Sequence, residues 1–364
     1  MKIRFKNNTV RLYEGDNLQV LPFFKENFFD SCITDPPYGI NFMNKIWDYA
    51  VPNTQNWKEV YRVLKPGAHL LAFFSTRTYH RGVVNIEDSG FEIRDQIGWI
   101  YSSGLPKSQD ISKAIDKRLG CKREQIKTLY DKSRFMQTLG NTRPWLEKAK
   151  KLGYYEHDNN IPVSEQAKKW NGWGSYLKPA WECIVVARKP FKGSLIDNVL
   201  KHGVGGLNVD KSRVAHERFP ANIIHDGSAE VIAEFAQYGK TKSYAQLHLA
   251  TGKSKNVYGA RRPVECCTPG GSGYVSRFFY CAKAAPSERG NFNNHPTVKP
   301  LGLITYLIRL VTPQGGKILD PYCGSGTTLL AALKTGYECY GIDINNEYCN
   351  IAIERLRNEL VQCK

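Results

Sequence analysis

Four consecutive residues, Asp35-Pro36-Pro37-Tyr38, combine the groups needed to hold an aromatic amino group for chemistry. Asp35 supplies a carboxylate acceptor, and the two prolines fix the backbone so that its carbonyls face outward. Tyr38 supplies a flat ring on which a planar base can stack. A carboxylate and a carbonyl together can accept both N–H groups of an exocyclic amine and leave its lone pair free. The motif indicates chemistry at an amino nitrogen, and a surface Asp-Pro-Pro turn is the plain alternative.

A second segment, 320–328, has the composition of a ligand-binding turn between a strand and a helix. It reads Asp-Pro-Tyr-Cys-Gly-Ser-Gly-Thr-Thr, and its glycines allow the backbone to approach a ligand closely. Asp343 ends the next strand, where its carboxylate can accept hydrogen bonds from a ribose diol. The turn lacks the Gly-Lys-Thr of a P-loop and departs from GxGxxG, so alone it indicates nucleotide binding of an unspecified kind. Thr327 and Thr328 are predicted to cap the following helix.

The elements that must position both segments alternate between strands and helices, which predicts an α/β fold with a mostly parallel sheet. Strands are predicted at 9–13, 29–34, 68–74, 93–101, 181–187, 277–282, 317–319 and 339–342. Helices are predicted at 57–64, 108–119, 301–311, 327–334 and 346–360. Ligands bind at the carboxyl ends of the strands in such a sheet, and both segments fall there.

Composition excludes several classes of protein. The chain has 364 residues, of which 41% are hydrophobic and 23% charged, enough apolar material for a sizeable core. Its apolar run at 70–74 is far shorter than the roughly 20 residues of a membrane helix, and no secretory signal is visible at its start. Ten cysteines without a CxxC pair predict a reducing, cytoplasmic setting and no metal site.

Positive charge is concentrated in the middle of the chain. The formal net charge is +17, and residues 102–275 carry +13 of it. A basic region between near-neutral flanks favours contact with a polyanion, although a solvated lysine-rich surface would give the same charge. We therefore predict that 1–101 and 276–364 form the two halves of one domain. Residues 102–275 would be a basic insertion that contributes one strand, 181–188, to the sheet.

Taken in order, these motifs resemble those of the S-adenosylmethionine-dependent amino methyltransferases that act on DNA, in the permuted group whose catalytic motif precedes the cofactor motif. The Asp-Pro-Pro-Tyr motif matches the catalytic motif, and 320–328 matches the cofactor turn. The His-Pro-Thr-Val-Lys-Pro stretch at 295–300 and the Gly-Asp-Asn-Leu stretch at 15–18 match the segments before those motifs. Three further segments are similar to phage and prophage members: 104–108, 218–222 and 278–283.

The resemblance implies a Rossmann-like methyltransferase sheet, with an antiparallel hairpin at one edge, and a role for single residues. Asp35 and the Pro36 carbonyl would hold the target amino group, Pro37 would fix the turn, and Tyr38 would stack on the base. The residues implied to bind S-adenosylmethionine are Asp16, Thr297, Lys299, Asp320, Tyr322, Gly324, Ser325, Gly326, Thr327 and Asp343. Among these, Asp343 would hold the ribose, Asp16 would lie near the adenine, and Thr297 and Lys299 would meet the methionine carboxylate.

The implied substrate is the N6 amino group of adenine in double-stranded DNA, presented by flipping the base out of the helix. Adenine is favoured over cytosine N4 because Asp rather than Ser opens the catalytic motif. Three other functions stay open: an N4-cytosine methyltransferase, an RNA or protein amide methyltransferase, and a non-catalytic nucleic-acid binder.

The basic middle would recognise the target. Trp173 and Trp181 are candidates to stack on a displaced base, although a place in the core is the commoner role. A homodimer and an accompanying restriction endonuclease, in a bacterial or phage setting, are also open.

Overall fold

The computed structural model describes most of the chain. The described residues are 2–41, 46–102, 104, 108–131, 144–214, 218–237, 239–243, 246–249, 255–256, 259–260, 265–268, 271–273, 276, 279–281 and 298–362. Thr297, one of the predicted cofactor residues, lies outside them. Among the helices that are described, none is both long and apolar enough to cross a membrane.

The strands, in chain order, are β1 (Lys2–Lys6), β2 (Val10–Glu14), β3 (Phe29–Thr34), β4 (Leu64–Phe74), β5 (Glu92–Ile100), β6 (Gln125–Leu129), β7 (Tyr154–Asp158), β8 (Trp181–Arg188), β9 (Ile223–His225), β10 (Thr241–Ser243), β11 (Gln246–Leu249), β12 (Lys255–Asn256), β13 (Gly259–Ala260), β14 (Glu265–Thr268), β15 (Gly271–Gly273), β16 (Tyr280–Cys281), β17 (Lys317–Asp320) and β18 (Glu338–Asp343). The α-helices are α1 (Asn17–Val20), α2 (Thr54–Val63), α3 (Tyr79–Glu87), α4 (Ile111–Arg118), α5 (Pro144–Leu152), α6 (Glu165–Lys169), α7 (Leu195–His202), α8 (Ala229–Ala236), α9 (Leu301–Val311), α10 (Thr327–Thr335) and α11 (Asn346–Gln362).

One mixed sheet organises the larger part of the chain, in the order β1-β2-β18-β17-β3-β4-β8-β5-β9-β16. The strands from β2 to β4 run parallel to one another, and β1 pairs antiparallel with β2 at the edge. Strand β8 lies antiparallel between β4 and β5. The predicted α/β class, with a mostly parallel sheet and an antiparallel hairpin at one edge, is confirmed.

The central strands are apolar because helices cover both faces of the sheet. Every residue of β3 is buried, as are the last eight residues of β4. One face packs α9 and α10 against the sheet through side chains such as Leu307 and Leu329. The other face packs α2 through Trp57 and Val60. These two layers fix the strand ends that carry the predicted motifs.

The strand order reverses between β17 and β3. From β17 the chain crosses through α10 to β18 on one side, and from β3 it crosses through α2 to β4 on the other. A crevice opens at such a switch point outside the carboxyl ends of the strands. The Asp-Pro-Pro-Tyr motif follows β3 and the glycine-rich turn follows β17, so both predicted motifs reach this crevice.

The chain divides into two compact units. The larger comprises residues 1–102 and 181–364, and the smaller comprises residues 103–180. The predicted sheet strand at 181–188 is β8, which belongs to the larger unit. The division of the chain into two methyltransferase halves and a recognition insertion stays a prediction.

The smaller unit contains α4, β6, α5, β7 and α6, and β6 pairs antiparallel with β7. Its buried centre includes an ion pair, in which Arg123 Nε donates to Asp116 Oδ2 at 2.8 Å. The Asp116 carboxylate also accepts from the backbone amide and hydroxyl of Ser164, at 3.0 and 2.7 Å. Pairing of this kind lowers the cost of burying charged groups in a small unit.

Candidate active site

The two predicted motifs meet through a direct contact between their strands. Thr34 Oγ1 donates a hydrogen bond to Asp320 Oδ1 at 2.6 Å, and the registers of β3 and β17 pair Cys32 with Leu319. Asp35, the next residue after Thr34, therefore lies beside the start of the glycine-rich turn. Within the described residues, which exclude Thr297, the structure brings together the residues that the sequence assigned to catalysis and to the cofactor.

The Asp35 carboxylate is held by two side chains. Tyr38 Oη donates to Asp35 Oδ1 at 2.8 Å, and Lys299 Nζ donates to Asp35 Oδ2 at 2.6 Å. The Asp35 side chain retains 23% exposure, whereas that of Lys299 retains 7%. A carboxylate offers about four acceptor positions, and these two donors occupy one on each oxygen of Asp35.

A buried aspartate fixes the backbone that follows Pro37. Asp48 Oδ1 accepts from the Tyr38 and Gly39 amides at 2.6 and 3.0 Å, and its Oδ2 accepts from the Ile40 amide at 3.3 Å. Asp48 is 1% exposed. The sequence did not predict this role, because Asp48 belongs to no motif that would indicate it as the acceptor for backbone amides ten residues earlier.

Lys299 lies between two carboxylates. Its Nζ is 2.6 Å from Asp35 Oδ2 and 3.3 Å from Glu182 Oε2, and it donates to the Tyr38 hydroxyl at 3.1 Å. Burial alone would lower the pKa of the Lys299 ammonium, but the two carboxylates outweigh burial and raise the pKa above its ordinary value. The predicted contact between Lys299 and the methionine carboxylate stays a prediction, and Glu182 is a member of the site that the sequence analysis missed.

The Tyr38 ring is partly buried against the core, and its hydroxyl is engaged. That hydroxyl lies 2.8 Å from Asp35 Oδ1 and 2.9 Å from Glu182 Oε2. Burial and both carboxylates raise the pKa of Tyr38 well above its ordinary value, so the phenol stays protonated.

Asp343 is positioned by backbone amides. Gly324 N donates to Asp343 Oδ2 at 2.7 Å, and Asn345 N donates to Asp343 Oδ1 at 2.8 Å. Burial raises the pKa of Asp343 to about 6, although both amides act in the opposite direction. Each oxygen retains a lone pair, which suits a vicinal diol that donates two hydrogen bonds.

Asp320 lies beneath the glycine-rich turn and is 2% exposed. It accepts from the Thr34 hydroxyl and from the Tyr322 amide, and it bonds to the Thr328 side chain. Burial raises the pKa of Asp320 to about 7. These contacts give Asp320 a structural role in joining the two strand ends, and its direct contact with the cofactor stays a prediction.

The glycine-rich turn is fixed by Arg355 of α11. Arg355 Nη1 donates to Ser325 O at 2.7 Å, to Ser325 Oγ at 3.2 Å and to Thr327 Oγ1 at 3.1 Å. The prediction that Thr327 and Thr328 cap α10 is wrong. The N-cap is Gly326 in a left-handed conformation, without a side-chain cap, because both threonine hydroxyls serve other partners.

The remaining predicted cofactor residues line the same strand ends. Asp16 caps α1 by accepting from the Leu18 amide at 2.9 Å, and the preceding Gly15 N donates to Asp343 O at 3.0 Å. The Tyr322 ring packs at 6.2 Å from the Trp57 ring, measured between centroids. Gly324 has a φ of 50°, which the turn requires in order to aim its amide at Asp343.

The two candidate stacking tryptophans are exposed and do not lie in the core, and their stacking on a displaced base stays a prediction. Trp181 is 48% exposed at the start of β8, next to Glu182. In the smaller unit, Trp173 is 60% exposed and packs edge-on against Trp170. Among the described residues, no group of three or more His, Cys, Asp or Glu side chains could hold a metal ion.

Comparison with known proteins places these features in a family. The family described as DNA methylase matches residues 29–354. The type II methyltransferase M.HindIII of Haemophilus influenzae is 24% identical, over 97% of this chain and 96% of its own length. The type II methyltransferase M.HpaI of Haemophilus parainfluenzae is 38% identical, over 96% of this chain and 74% of its own length. A solved structure of the PvuII DNA methyltransferase (cytosine-N4-specific) has a TM-score of 0.49 at 15% identity, over 97% of this chain and 88% of that one.

The chain belongs to the family of S-adenosylmethionine-dependent DNA amino methyltransferases that act on adenine N6 or cytosine N4. Its methyl donor is S-adenosylmethionine, and the resemblance drawn from the motifs is confirmed.

Proposed function

We propose that this protein transfers a methyl group from S-adenosylmethionine to the N6 amino group of adenine in double-stranded DNA. The observation that carries the proposal is the position of Asp35. Its partly exposed carboxylate lies at the carboxyl end of β3, joined through Thr34 and Asp320 to the turn that leads to Asp343. An amino group held by Asp35 would thus lie beside a cofactor held by Asp343.

The proposed reaction needs positioning more than a strong base. The amino nitrogen attacks the sulfonium methyl carbon in line, the new C–N bond forms as the S–CH₃ bond breaks, and S-adenosylhomocysteine leaves. The methylated nitrogen is transiently cationic and then releases a proton, through Asp35, to solvent. Holding the two reactants in this geometry supplies much of the rate. The Asp35 carboxylate and the Pro36 carbonyl would aim the nitrogen, and Tyr38 would face the base.

Tyr38 would stack on the target base in this scheme, with its ring rather than its hydroxyl as the contact. Unstacking and unpairing a base costs a few kcal/mol, and stacking in the enzyme pocket returns about 1–3 kcal/mol per base. Trp181 offers a second and more exposed ring next to Glu182. These aromatic groups support a flipped base as the substrate.

Residues 102–275 are the proposed target-recognition region, apart from the sheet strand at 181–188. Residues 103–180 carry 16 Lys and Arg against 8 Asp and Glu. Cationic side chains of this kind neutralise phosphates and give DNA affinity that weakens with salt. A homodimer, a cognate endonuclease and a cytoplasmic location stay predictions.

Adenine is the proposed base because Asp35 opens the catalytic motif. Members with Ser at that position tend to act on cytosine N4, although the correspondence is imperfect. Cytosine N4 is therefore the second candidate. It needs the same fold, cofactor turn and amino-group chemistry, and only the pocket around the ring would differ.

The deciding experiment uses labelled S-adenosylmethionine with unmethylated duplex DNA, followed by digestion to nucleosides and mass spectrometry. The Asp35→Ala variant is run in parallel so that label is assigned to this protein. We expect N6-methyladenine. N4-methylcytosine would overturn the base choice and keep the site. Label on RNA or protein alone, or bound cofactor with no label anywhere, would overturn the proposed function.

A further inference from the structure

Glu182 stands at the centre of the buried network although no motif contains it. It is the second residue of β8, where it pairs in register with Trp99 of β5. Its carboxylate lies 2.9 Å from the Tyr38 hydroxyl and 3.3 Å from Lys299 Nζ, and it bonds to the Tyr101 hydroxyl. With 19% of its side chain exposed, Glu182 holds three donors from three different segments.

The Tyr38 hydroxyl has one hydrogen and two carboxylate acceptors. Asp35 Oδ1 and Glu182 Oε2 lie at nearly equal distances from it, 2.8 and 2.9 Å. A hydroxyl donates one hydrogen bond at a time, so the hydrogen bond can pass from Asp35 to Glu182 by rotation about the C–O bond. Lys299 likewise contacts both carboxylates. Glu182 is thus an alternative acceptor for both groups that occupy Asp35.

We propose that Glu182 is a positioning residue, which takes over the Tyr38 hydroxyl and the Lys299 ammonium when Asp35 accepts the target amino group. The inference rests on the proposed methyl transfer. Without Glu182, the amino group would have to compete with Tyr38 and Lys299 for the acceptor positions of Asp35. With Glu182 in place, both donors keep a partner while Asp35 turns to the substrate, so no buried donor is left unpaired.

The charge of the network supports the same role. Asp35, Glu182 and Lys299 together carry one net negative charge. The reacting pair is positive, because the sulfonium is cationic and its charge passes to the target nitrogen as the methyl group moves. A fixed negative charge in a buried site stabilises such a transition state. Replacing Glu182 by Gln would leave Asp35 and Lys299 as a neutral pair.

The protonation of Lys299 gives a second readout. The charged groups that face it are Asp35 and Glu182; the neutral phenol of Tyr38 also contacts it, and Tyr101 faces Glu182. Burial acts to lower the pKa of Lys299, and the two carboxylates raise it. Removing one carboxylate lowers that pKa, so the ammonium is lost at a lower pH in Glu182→Gln than in the wild-type protein.

The test compares Glu182→Gln with Glu182→Asp and with a control, Glu92→Gln. Glu92 lies at the far end of β5, where it pairs with Arg188. We expect Glu182→Gln to reduce kcat by about 100-fold, as for loss of one preorganised electrostatic group. Its affinity for S-adenosylmethionine at pH 7 and its melting temperature should stay near those of the control. The basic limb of its pH-rate profile should move to lower pH.

Glu182→Asp separates charge from shape. Gln keeps the shape of the side chain and loses the charge, whereas Asp keeps the charge in a shorter side chain. We expect Asp to retain more activity than Gln. Equal kcat in Gln and wild type, or a higher kcat in Gln than in Asp, would overturn the role of Glu182 while methylation of DNA by the wild type stands.

Binding of S-adenosylmethionine, measured by calorimetry from pH 7 to 10, keeps the test independent of DNA. If the wild type methylates no DNA, the proposed function fails. The affinity for S-adenosylmethionine could still be compared between the two proteins at high pH. A loss of affinity that begins at a lower pH in Glu182→Gln than in the wild type would support the contact between Glu182 and Lys299. Identical binding profiles would overturn it.

Discussion

The two turns that meet in this site are held in different ways. The cofactor turn is held by main-chain donors and by one arginine: two amides fix Asp343, and Arg355 fixes Ser325 and Thr327. In the catalytic turn, which comprises residues 35–38 and the two that follow, main-chain amides are held only from Tyr38 onward, and the Asp35 carboxylate is held by side chains. Main-chain donors have few alternative positions, whereas side chains can exchange partners. The cofactor turn is therefore preformed, and the catalytic turn can rearrange when a base arrives.

Removal of the Asp35 carboxylate tests whether the two turns work separately. In Asp35→Ala we expect methyl transfer to fall by about 10³-fold or more, because the carboxylate that orients the amino group is lost and only the Pro36 carbonyl remains. The affinity for S-adenosylmethionine, measured by calorimetry, should change by no more than several-fold. Retained methyl transfer would remove Asp35 from the site, and a parallel collapse of cofactor affinity would show that the two turns are one structure.

Asp343→Asn tests the cofactor turn, and here the loss should fall on the affinity for the cofactor and not on kcat. Loss of charge-assisted hydrogen bonds to the ribose costs about 2 kcal/mol, which corresponds to roughly 30-fold in the dissociation constant of S-adenosylmethionine. At saturating cofactor, kcat should stay within a few-fold of the wild type. A large fall in kcat without a change in affinity would contradict the assignment of Asp343 to the cofactor.

The same residue predicts a pH dependence. The pKa of Asp343 is raised by burial to about 6, so the carboxylate gains a proton as the pH falls through that value. The protonated form is the weaker acceptor. Wild-type affinity for S-adenosylmethionine should therefore decrease between pH 7 and 5, and Asp343→Asn should show a flatter profile. Equal slopes in the two proteins would assign the titration to another group.

Gly326→Ala probes how tightly the cofactor turn is packed. Gly326 has a φ of 77°, and an added Cβ would lie 2.8 Å from Ala352 Cβ. Gly336, at the other end of α10, has a φ of 75° and nothing within 4 Å of an added Cβ. Both alanine variants pay a backbone cost of about 1 kcal/mol, and overpacking adds about 1–2 kcal/mol at Gly326 alone.

Denaturant unfolding measures that difference. The expected order of unfolding free energies is wild type, then Gly336→Ala, then Gly326→Ala. Equal decreases in the free energy of unfolding would mean that the turn and α11 can move apart at little cost to accommodate the added methyl group. The cofactor turn would then be less rigid than its hydrogen bonds indicate.

The sequence predicted the elements whose pattern is local. The strand at 29–34 and the helix at 301–311 match β3 and α9 residue for residue, because β3 is a continuous buried segment and α9 carries a clear apolar stripe. The strand predicted at 68–74 is longer in the structure, since β4 begins at Leu64 directly after α2 and includes Pro66 and Gly67. The strand predicted at 277–282 is described only at Tyr280–Cys281.

The site was predicted where a motif is contiguous and missed where it is assembled from distant segments. Asp35, Tyr38 and Asp343 come from short motifs. Glu182 and Arg355 act on those motifs from β8 and α11, and a single sequence carries no signal that pairs them with Tyr38 or Ser325. Lys299 was identified as a cation of the site, but its contact with Asp35 depends on the order of the strands.

The chain leaves the sheet after β5 and re-enters it at β8, and the register pairs Ile100 with Trp181. Residues 103–180 are thus joined to the sheet at two neighbouring points. When the ends of a segment are already held together, its length adds little to the entropy of closing the loop. Evolution can therefore lengthen, shorten or replace this segment without altering the registers around the site. With the proposed target-recognition role, exchange of this segment would change the DNA sequence that is methylated and leave the residues of the methyl-transfer site in place.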